Sequence, residues 1–364
     1  MARQSKADPL ADHPNQLPHG DRRILIIGGA GYIGSVLVRD LLKSGFRVRV
    51  LDSFLFGTES LAGIQTSPQL EILQGDLRSA ETLALAVRNV SDVIHLGGLV
   101  GDQACSLDRK LTLQVNLAAT EMIRDICKAR SIQRFIFAST CAVYGNASAT
   151  CSERSAADPL SLYACTKLDS ENILLAGDGN ARFRPVILRL ATVFGPSHRP
   201  RFDLVVNRLA AQAWFQGRIT IFNPAQCRPF IHVEDVARAM RLMLEAPLER
   251  VGGEIFNVGD DALNCSLREV GRVIAENIPG TAVEEICQAG DPRTYRVNFA
   301  KLRNALGFRG QLDVAAGIRQ LCALFENEQI TEWQDARFSN ELSLQGLRLQ
   351  SELPMLVRTM PCPA

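Results

Sequence analysis

A strand-length apolar run, Arg23-Ile-Leu-Ile-Ile27, passes directly into Gly28-Gly-Ala-Gly-Tyr-Ile-Gly34 and then into a helical pattern over 35–44. No other feature of the chain restricts its fold as strongly. Glycines let the backbone turn tightly between strand and helix and leave room for an anion at the helix N-terminus, where free N–H groups point outward. A second strand, 48–52, ends on Asp52 about twenty residues past the glycines. That order suits a parallel sheet holding a dinucleotide, with the diphosphate at the helix and the carboxylate on the adenosine ribose. A glycine pattern alone would fit any β–α connection; the register with Asp52 carries the reading further. No basic residue just after Asp52 is placed to meet a 2′-phosphate, so NAD is expected rather than NADP.

Strand and helix patterns keep alternating through 83–90, 92–96, 112–129, 134–139, the segment around Tyr163, and 185–190. This rhythm predicts a doubly wound parallel sheet. Beyond residue 195, Gly195-Pro, Arg199-Pro, Asn223-Pro and Arg228-Pro interrupt helices at 203–216 and 233–245, and a smaller cap is expected there. A strand-like stretch at 254–258 and a helical one at 266–277 imply that the chain revisits the sheet. The fold class expected is therefore α/β, a Rossmann-type doubly wound parallel sheet with a smaller, interleaved C-terminal substrate-binding domain. Residues 1–21 read as a flexible extension, 22–190 as the dinucleotide-binding domain, and 191–326 as mainly the substrate domain. Residues 327–364 read as an arm whose Trp333, Phe338, Leu342, Leu347 and Leu349 would pack on the body or on a second subunit.

Charge narrows the choice of partners. Lys plus Arg number 40 against 39 for Asp plus Glu, leaving no bulk field to recruit nucleic acid or an anionic membrane. The longest apolar stretches have strand length, well below the roughly 20 residues that span a bilayer. Ten cysteines lie scattered without a CxxC pair or metal-like spacing, so no metal site is expected. The first twenty residues are polar and proline-bearing rather than a secretory leader. A soluble protein of the reduced cytoplasm fits these signs.

Tyr163 and Lys167 stand four residues apart in Ser161-Leu-Tyr-Ala-Cys-Thr-Lys167, a spacing that puts phenol and ammonium on one helix face. A nearby cation favours phenolate, which would lower the tyrosine's pKa and make it a base. Downstream of the glycine turn, the pair points to hydride chemistry on an alcohol.

Together these residues resemble the extended short-chain dehydrogenase/reductase family of nucleotide-sugar epimerases, dehydratases and reductases, over about 23–325. The likeness takes in Gly75-Asp-Leu77, His95-Leu-Gly-Gly98, Asn116, Ser139-Thr-Cys-Ala-Val-Tyr-Gly145, Leu188-Arg-Leu-Ala-Thr-Val-Phe-Gly-Pro196 and Gln226-Cys-Arg-Pro-Phe-Ile-His232. It implies a triad of Thr140, Tyr163 and Lys167, with Thr140 on the reacting sugar oxygen, Tyr163 exchanging its proton and Lys167 on the nicotinamide ribose. NAD contacts are implied for Gly28, Gly31, Tyr32, Ile33, Gly34, Asp52, Ser53, Asp76, Leu77, Leu96, Gly97, Gly98, Asn116 and Ser139, besides Tyr163 and Lys167. Substrate contacts are implied for Asp102, Thr140, Cys141, Thr192, His198, Arg201, Asn207, Arg228 and Arg293, the last of these completing with Arg228 an arginine clamp on the diphosphate. A homodimer through the helices of Thr112 and Tyr163 is implied as well.

Departures from the family are equally informative. Its sugar dehydratases carry Asp-Glu just after the catalytic Thr, where this chain has Cys141 and Ala142, and the related decarboxylases carry Glu at the position of Ala142. Thr192 replaces the usual Asn and Pro229 the usual Asp. Cys141 is one residue off the family's acid/base cysteine and reads as a buried filler. The expected activity is an NAD-dependent nucleotide-sugar 4-epimerase working through a transient 4-keto sugar. Ketoreductase or dehydrogenase is the alternative, dehydratase and 3,5-epimerase less so, and a noncatalytic NAD-binding scaffold the furthest. GDP, UDP and dTDP sugars all remain open.

Overall fold

The computed structural model describes residues 19–176, 182–288 and 293–349. Of the extension expected at 1–21, only the 3-10 turn His19–Asp21 falls within them. The first half alternates β1 (Arg23–Ile27), α1 (Tyr32–Lys43), β2 (Arg47–Asp52), β3 (Leu70–Gln74), α2 (Ala80–Ala86), β4 (Asp92–His95), α3 (Asp102–Leu107), α4 (Arg109–Thr112), α5 (Ala119–Ala129), β5 (Arg134–Thr140), α6 (Leu162–Leu175) and β6 (Arg184–Leu190). The rest adds β7 (Thr192–Phe194), α7 (Val205–Gln216), β8 (Arg218–Phe222), β9 (Cys227–His232), α8 (Val233–Glu245), α9 (Leu248–Val251) and β10 (Ile255–Val258). It ends with β11 (Asn264–Ser266), α10 (Leu267–Asn277), β12 (Ala282–Ile286), α11 (Ala300–Leu306), α12 (Val314–Glu326) and α13 (Asn340–Leu349).

Seven strands form one sheet in the order β10-β6-β5-β4-β1-β2-β3, with every neighbouring pair parallel. The doubly wound parallel sheet read from sequence is what the chain builds. Ile24, Leu25, Ile26 and Ile27 are fully buried, as the central strand of a sheet covered on both faces requires. The strand order reverses on either side of β1, and this opens a crevice at the carboxyl ends of β1 and β4, where ligands enter sheets of this kind.

Several elements differ from the sequence reading: the pattern does not announce β7, β8, β9, β11, β12 or α12, and α10, expected to return with 254–258 to the main sheet, packs on α7 and α12 instead. Edge strand β3 has no fully buried residue, and its short alternation gave too weak a pattern to be read. The helix expected over 112–129 starts earlier, as α4, and passes through a π-helical turn at Leu113–Ala118 before becoming α5. A π-turn adds a residue to the helical repeat and rotates the next turns of the helix about its axis.

Interleaving arises from the return of the chain after residue 230. Strand β10 pairs with β6, and α8 packs on α1. Arg22 and Arg134 both reach the Asp92 carboxylate, at 3.0 and 3.2 Å, and donate to the carbonyls of Leu244 and Ala246 at the end of α8. A second core gathers Phe194, Phe202, Phe230, Val206, Ile219, Ile274, Ile318 and Phe325 around α7, α10 and α12.

Candidate active site

The glycine turn closes against the end of β4. Gly28 has φ +82°, and a Cβ there would lie 2.7 Å from the Gly97 nitrogen; a Cβ on Gly34 would lie 2.2 Å from the Gly28 carbonyl. Only glycine lets α1 start this close to β1. The Asp52 carboxylate accepts from the Ala30 and Phe54 amides, each at 2.9 Å, while enclosure pushes its pKa up. Asp76 is held by Arg78 at 2.5 Å. Around this turn, Gly28, Gly31, Tyr32, Ile33, Gly34, Asp52, Ser53, Asp76, Leu77, Leu96, Gly97, Gly98, Ser139, Tyr163 and Lys167 line one continuous cleft.

Asn116, expected beside them, does not line it. Its side-chain carbonyl accepts from the Leu99 amide at 2.8 Å, and its amide donates to the Leu99 carbonyl at 3.0 Å and to Thr166 at 3.3 Å. Asn116 thus shapes the Gly98-Leu99 loop from behind, a position that the π-helical turn gives it.

Tyr163 lines the cleft, and Thr140, at the end of β5, is close enough to favour its phenolate; the Thr140 hydroxyl itself accepts from the Ala142 amide at 3.1 Å. Ser161 caps α6 through the Ala164 amide and so sets the angle at which Tyr163 leaves the helix. Lys167 Nζ donates to the Ala138 carbonyl at 2.8 Å and lies 4.6 Å from the centre of the Phe137 ring. Burial lowers its pKa to about 8. The expected activation of the phenol by this lysine needs correction. Burial pushes the Tyr163 phenol above the usual tyrosine range, with Arg201 and Thr140 opposing it. The lysine is tied to the strand below instead of reaching up to the phenol.

Among the expected substrate residues, Arg201 lines the cleft, held by Asp203 at 2.8 and 2.9 Å. Asp102 forms an ion pair with Arg293, whose backbone carbonyl accepts from Arg228; the Arg228 guanidinium sits 5.5 Å from the Tyr295 ring centre. These three therefore form one group. None of the three lines the cleft, and four others also stand apart from it. Cys141 is buried and donates its thiol to the Arg189 carbonyl at 3.2 Å, because the 3-10 turn after Thr140 aims it into the core. Thr192 is held in β7, paired with Phe230. His198 lies towards Arg39 and Lys43 on the flank of α1, and burial lowers its pKa. Asn207, 1% exposed, bonds the Gly195 amide and carbonyl and the Arg201 carbonyl, bracing the loop that carries the arginines.

Sequence reasoning missed Arg199. It lines the cleft at 5% exposure with its guanidinium 4.0 Å above the Phe56 ring, and its Nε and Nη2 have no hydrogen-bond partner. A buried cation with idle donors marks a place for an anion. With the glycine cradle, the α1 N-terminus and Asp52, it makes the cleft fit a dinucleotide with a diphosphate at its middle. Nothing in the sequence distinguishes Arg199 from Arg201; only burial does. Also missed were Asn340 and Leu344, which bring the C-terminal arm to the cleft wall.

A family model described as the NAD dependent epimerase/dehydratase family matches residues 24–259. The chain belongs to this family. Members similar to it include the UDP-glucose 4-epimerase of Mycolicibacterium smegmatis, 28% identical over 314 residues that span 84% of this chain and 99% of that one. Among solved structures, MoeE5 in complex with UDP-glucuronic acid and NAD is 30% identical with a TM-score of 0.72, covering 84% of this chain and 99% of the other. UDP-glucuronic acid 4-epimerase from Bacillus cereus, in complex with UDP-glucuronic acid and NAD, is 25% identical with a TM-score of 0.76, covering 84% and 99%. The resemblance read from the motifs is thereby shown, and the cofactor of this family member is NAD. Among the described residues no group of His, Cys, Asp and Glu is disposed to hold a metal ion, and no helix is long and apolar enough to cross a membrane.

Proposed function

We propose that this family member is an NAD-dependent 4-epimerase of nucleoside-diphosphate sugars, with UDP-hexoses as the first substrates to consider. One observation carries the reading. Tyr163 lines the cleft with Thr140 close by, while the two positions after Thr140 offer no acid or base to a substrate, since Cys141 is buried on the Arg189 carbonyl and Ala142 has no titratable group. Tyr163 is left as the group able to move a proton at a sugar hydroxyl, and eliminating water would need more than one such group.

In this reading Thr140 would hold the sugar 4-oxygen and Tyr163, as its phenolate, would take the proton of the 4-hydroxyl and later return it. Bound NAD supplies the hydride acceptor and, afterwards, the donor. Lys167, with a pKa of about 8, is cationic at neutral pH and fixed on the Ala138 carbonyl, from where it would hold the nicotinamide ribose. Arg228 and Arg293 hold the diphosphate, and Asp102 yields Arg293 to it. The relatives with UDP-glucose or UDP-glucuronic acid in their names support UDP as the nucleotide. A homodimer through α5 and α6 belongs to the same proposal, as does the reduced cytoplasm, which the nine unpaired cysteines among the described residues suit. Sedimentation tests the dimer.

Incubating the purified protein with UDP-glucose and, separately, UDP-glucuronic acid decides the activity. The expected result is the 4-inverted sugar nucleotide on chromatography with no net absorbance change at 340 nm. A change at 340 nm stoichiometric with product would replace the epimerase by a reductase or dehydrogenase.

A further inference from the structure

The cleft has a wall that the family's motifs do not supply. Leu344 of α13 is 4% exposed and packs with Leu99, Ala104 and Cys105, with Leu111 and Tyr163 against the same cluster. Asn340, at the start of the helix, also lines the cleft; it donates to the Val100 carbonyl at 2.9 Å, and its amide donates to Asp203 at 3.1 Å. The segment just beyond the glycine-rich end of β4 is thereby sandwiched between the cofactor cleft and a helix from the far end of the chain.

This helix lies outside the span that the family model matches. The compared relatives are covered over almost their whole length by 84% of this chain, and the uncovered share is about the size of the two ends combined.

Its attachment is graded along the arm. The approach to the helix is firmly seated: Phe202 donates its amide to the Phe338 carbonyl at 2.9 Å, and the rings of Trp333 and Phe338 lie 6.4 and 5.8 Å from that of Phe202. Over its ten described residues the deeply buried side chains are Asn340 and Leu344 alone among those described. Leu342, two residues before Leu344, is 44% exposed. An element held by so few contacts can detach by local opening while the body stays folded.

We propose that α13 is a clasp that retains the cofactor: NAD enters and leaves when the helix lifts about the Phe338 anchor, and Leu344 and Asn340 are positioning residues that hold it down. The inference rests on NAD binding in this cleft and is independent of which sugar reaction the protein performs. Because binding linkage is reciprocal, a cofactor held by the helix must hold the helix by the same factor.

The test uses the full-length chain carrying Leu344→Glu, with Leu342→Glu as the control on the exposed face. Release of bound NAD is followed by exchange against excess isotopically labelled NAD, and hydrogen exchange of residues 340–349 is measured with and without saturating NAD. NAD release at least tenfold faster in Leu344→Glu, unchanged in Leu342→Glu, is expected. The tightening of amide exchange at 340–349 by NAD should match in fold-change the NAD affinity lost in the variant. Release within twofold of the parent in Leu344→Glu, with an unaltered melting temperature, overturns the proposal, as does an α13 whose exchange ignores NAD. Should Leu344→Glu fail to fold, Leu344→Ala is read by the same two measurements.

Discussion

At Tyr163, burial favours the neutral phenol, while Arg201 and nearby Thr140 work against it. Removing the hydroxyl leaves the packing almost intact, so Tyr163→Phe should lower turnover by about 10²–10⁴-fold while NAD still copurifies; chromatography of the sugar nucleotides and of the released cofactor reads both. Lys167 makes a separate prediction for the cofactor-free protein. Its pKa is about 8 folded against 10.5 for the ordinary group, so between these values the unfolded chain binds a proton that the folded chain does not, and stability rises with pH across that window. Relative to Lys167→Met, the parent should gain up to about 3 kcal/mol from pH 8 to 10.5 in denaturant unfolding; parallel pH curves would show the lysine to be unperturbed. Arg199 should behave in the opposite sense to most buried residues. With its Nε and Nη2 idle, Arg199→Met should raise the melting temperature of the cofactor-free protein by the equivalent of about 1–4 kcal/mol and weaken NAD binding, measured by calorimetry.

Among the elements, the turn from β1 to α1 is the least tolerant. Gly28→Ala must place a Cβ 2.7 Å from the Gly97 nitrogen at φ +82°, so a loss of at least about 1 kcal/mol and of measurable NAD binding is expected, checked by thermal shift with and without NAD. This turn was legible in sequence because glycine and Asp52 are local signals with fixed spacing. The π-helical turn was not, since Leu113 to Ala118 carry ordinary helical residues and only the bonds of Asn116 to Leu99 and Thr166 reveal the extra residue. For the same reason Asn116 was read as a cofactor contact: its position in sequence is right for one, but its side chain faces the loop behind. His198 and Arg201 were likewise chosen from one donor-rich loop, in which Asn207 and Ser197 brace the backbone and so turn Arg199 inward and His198 outward. Which donor faces the cleft is decided by bonds between distant segments, and a linear pattern does not record them.

Over the whole molecule, the return of β10 to the sheet and the packing of α8 on α1 tie the substrate-side segments to the dinucleotide fold, and this much could be read from the strand-like 254–258. The buried Arg22–Asp92–Arg134 group fastens α8 to the same layer. Melting should therefore proceed in one transition with equal calorimetric and van't Hoff enthalpies; two resolved transitions would mean that the core of Phe194, Phe230 and Ile318 unfolds by itself. The pairing of β6 with β10 also bears on the chain's birth. All the residues between Leu190 and Ile255 must leave the ribosome before β6 meets its outer neighbour, a delay on the order of 3–13 s at roughly 5–20 residues per second. During that interval the nascent sheet shows an open apolar edge, so recovery of native protein should be governed by what shields β6 while translation continues.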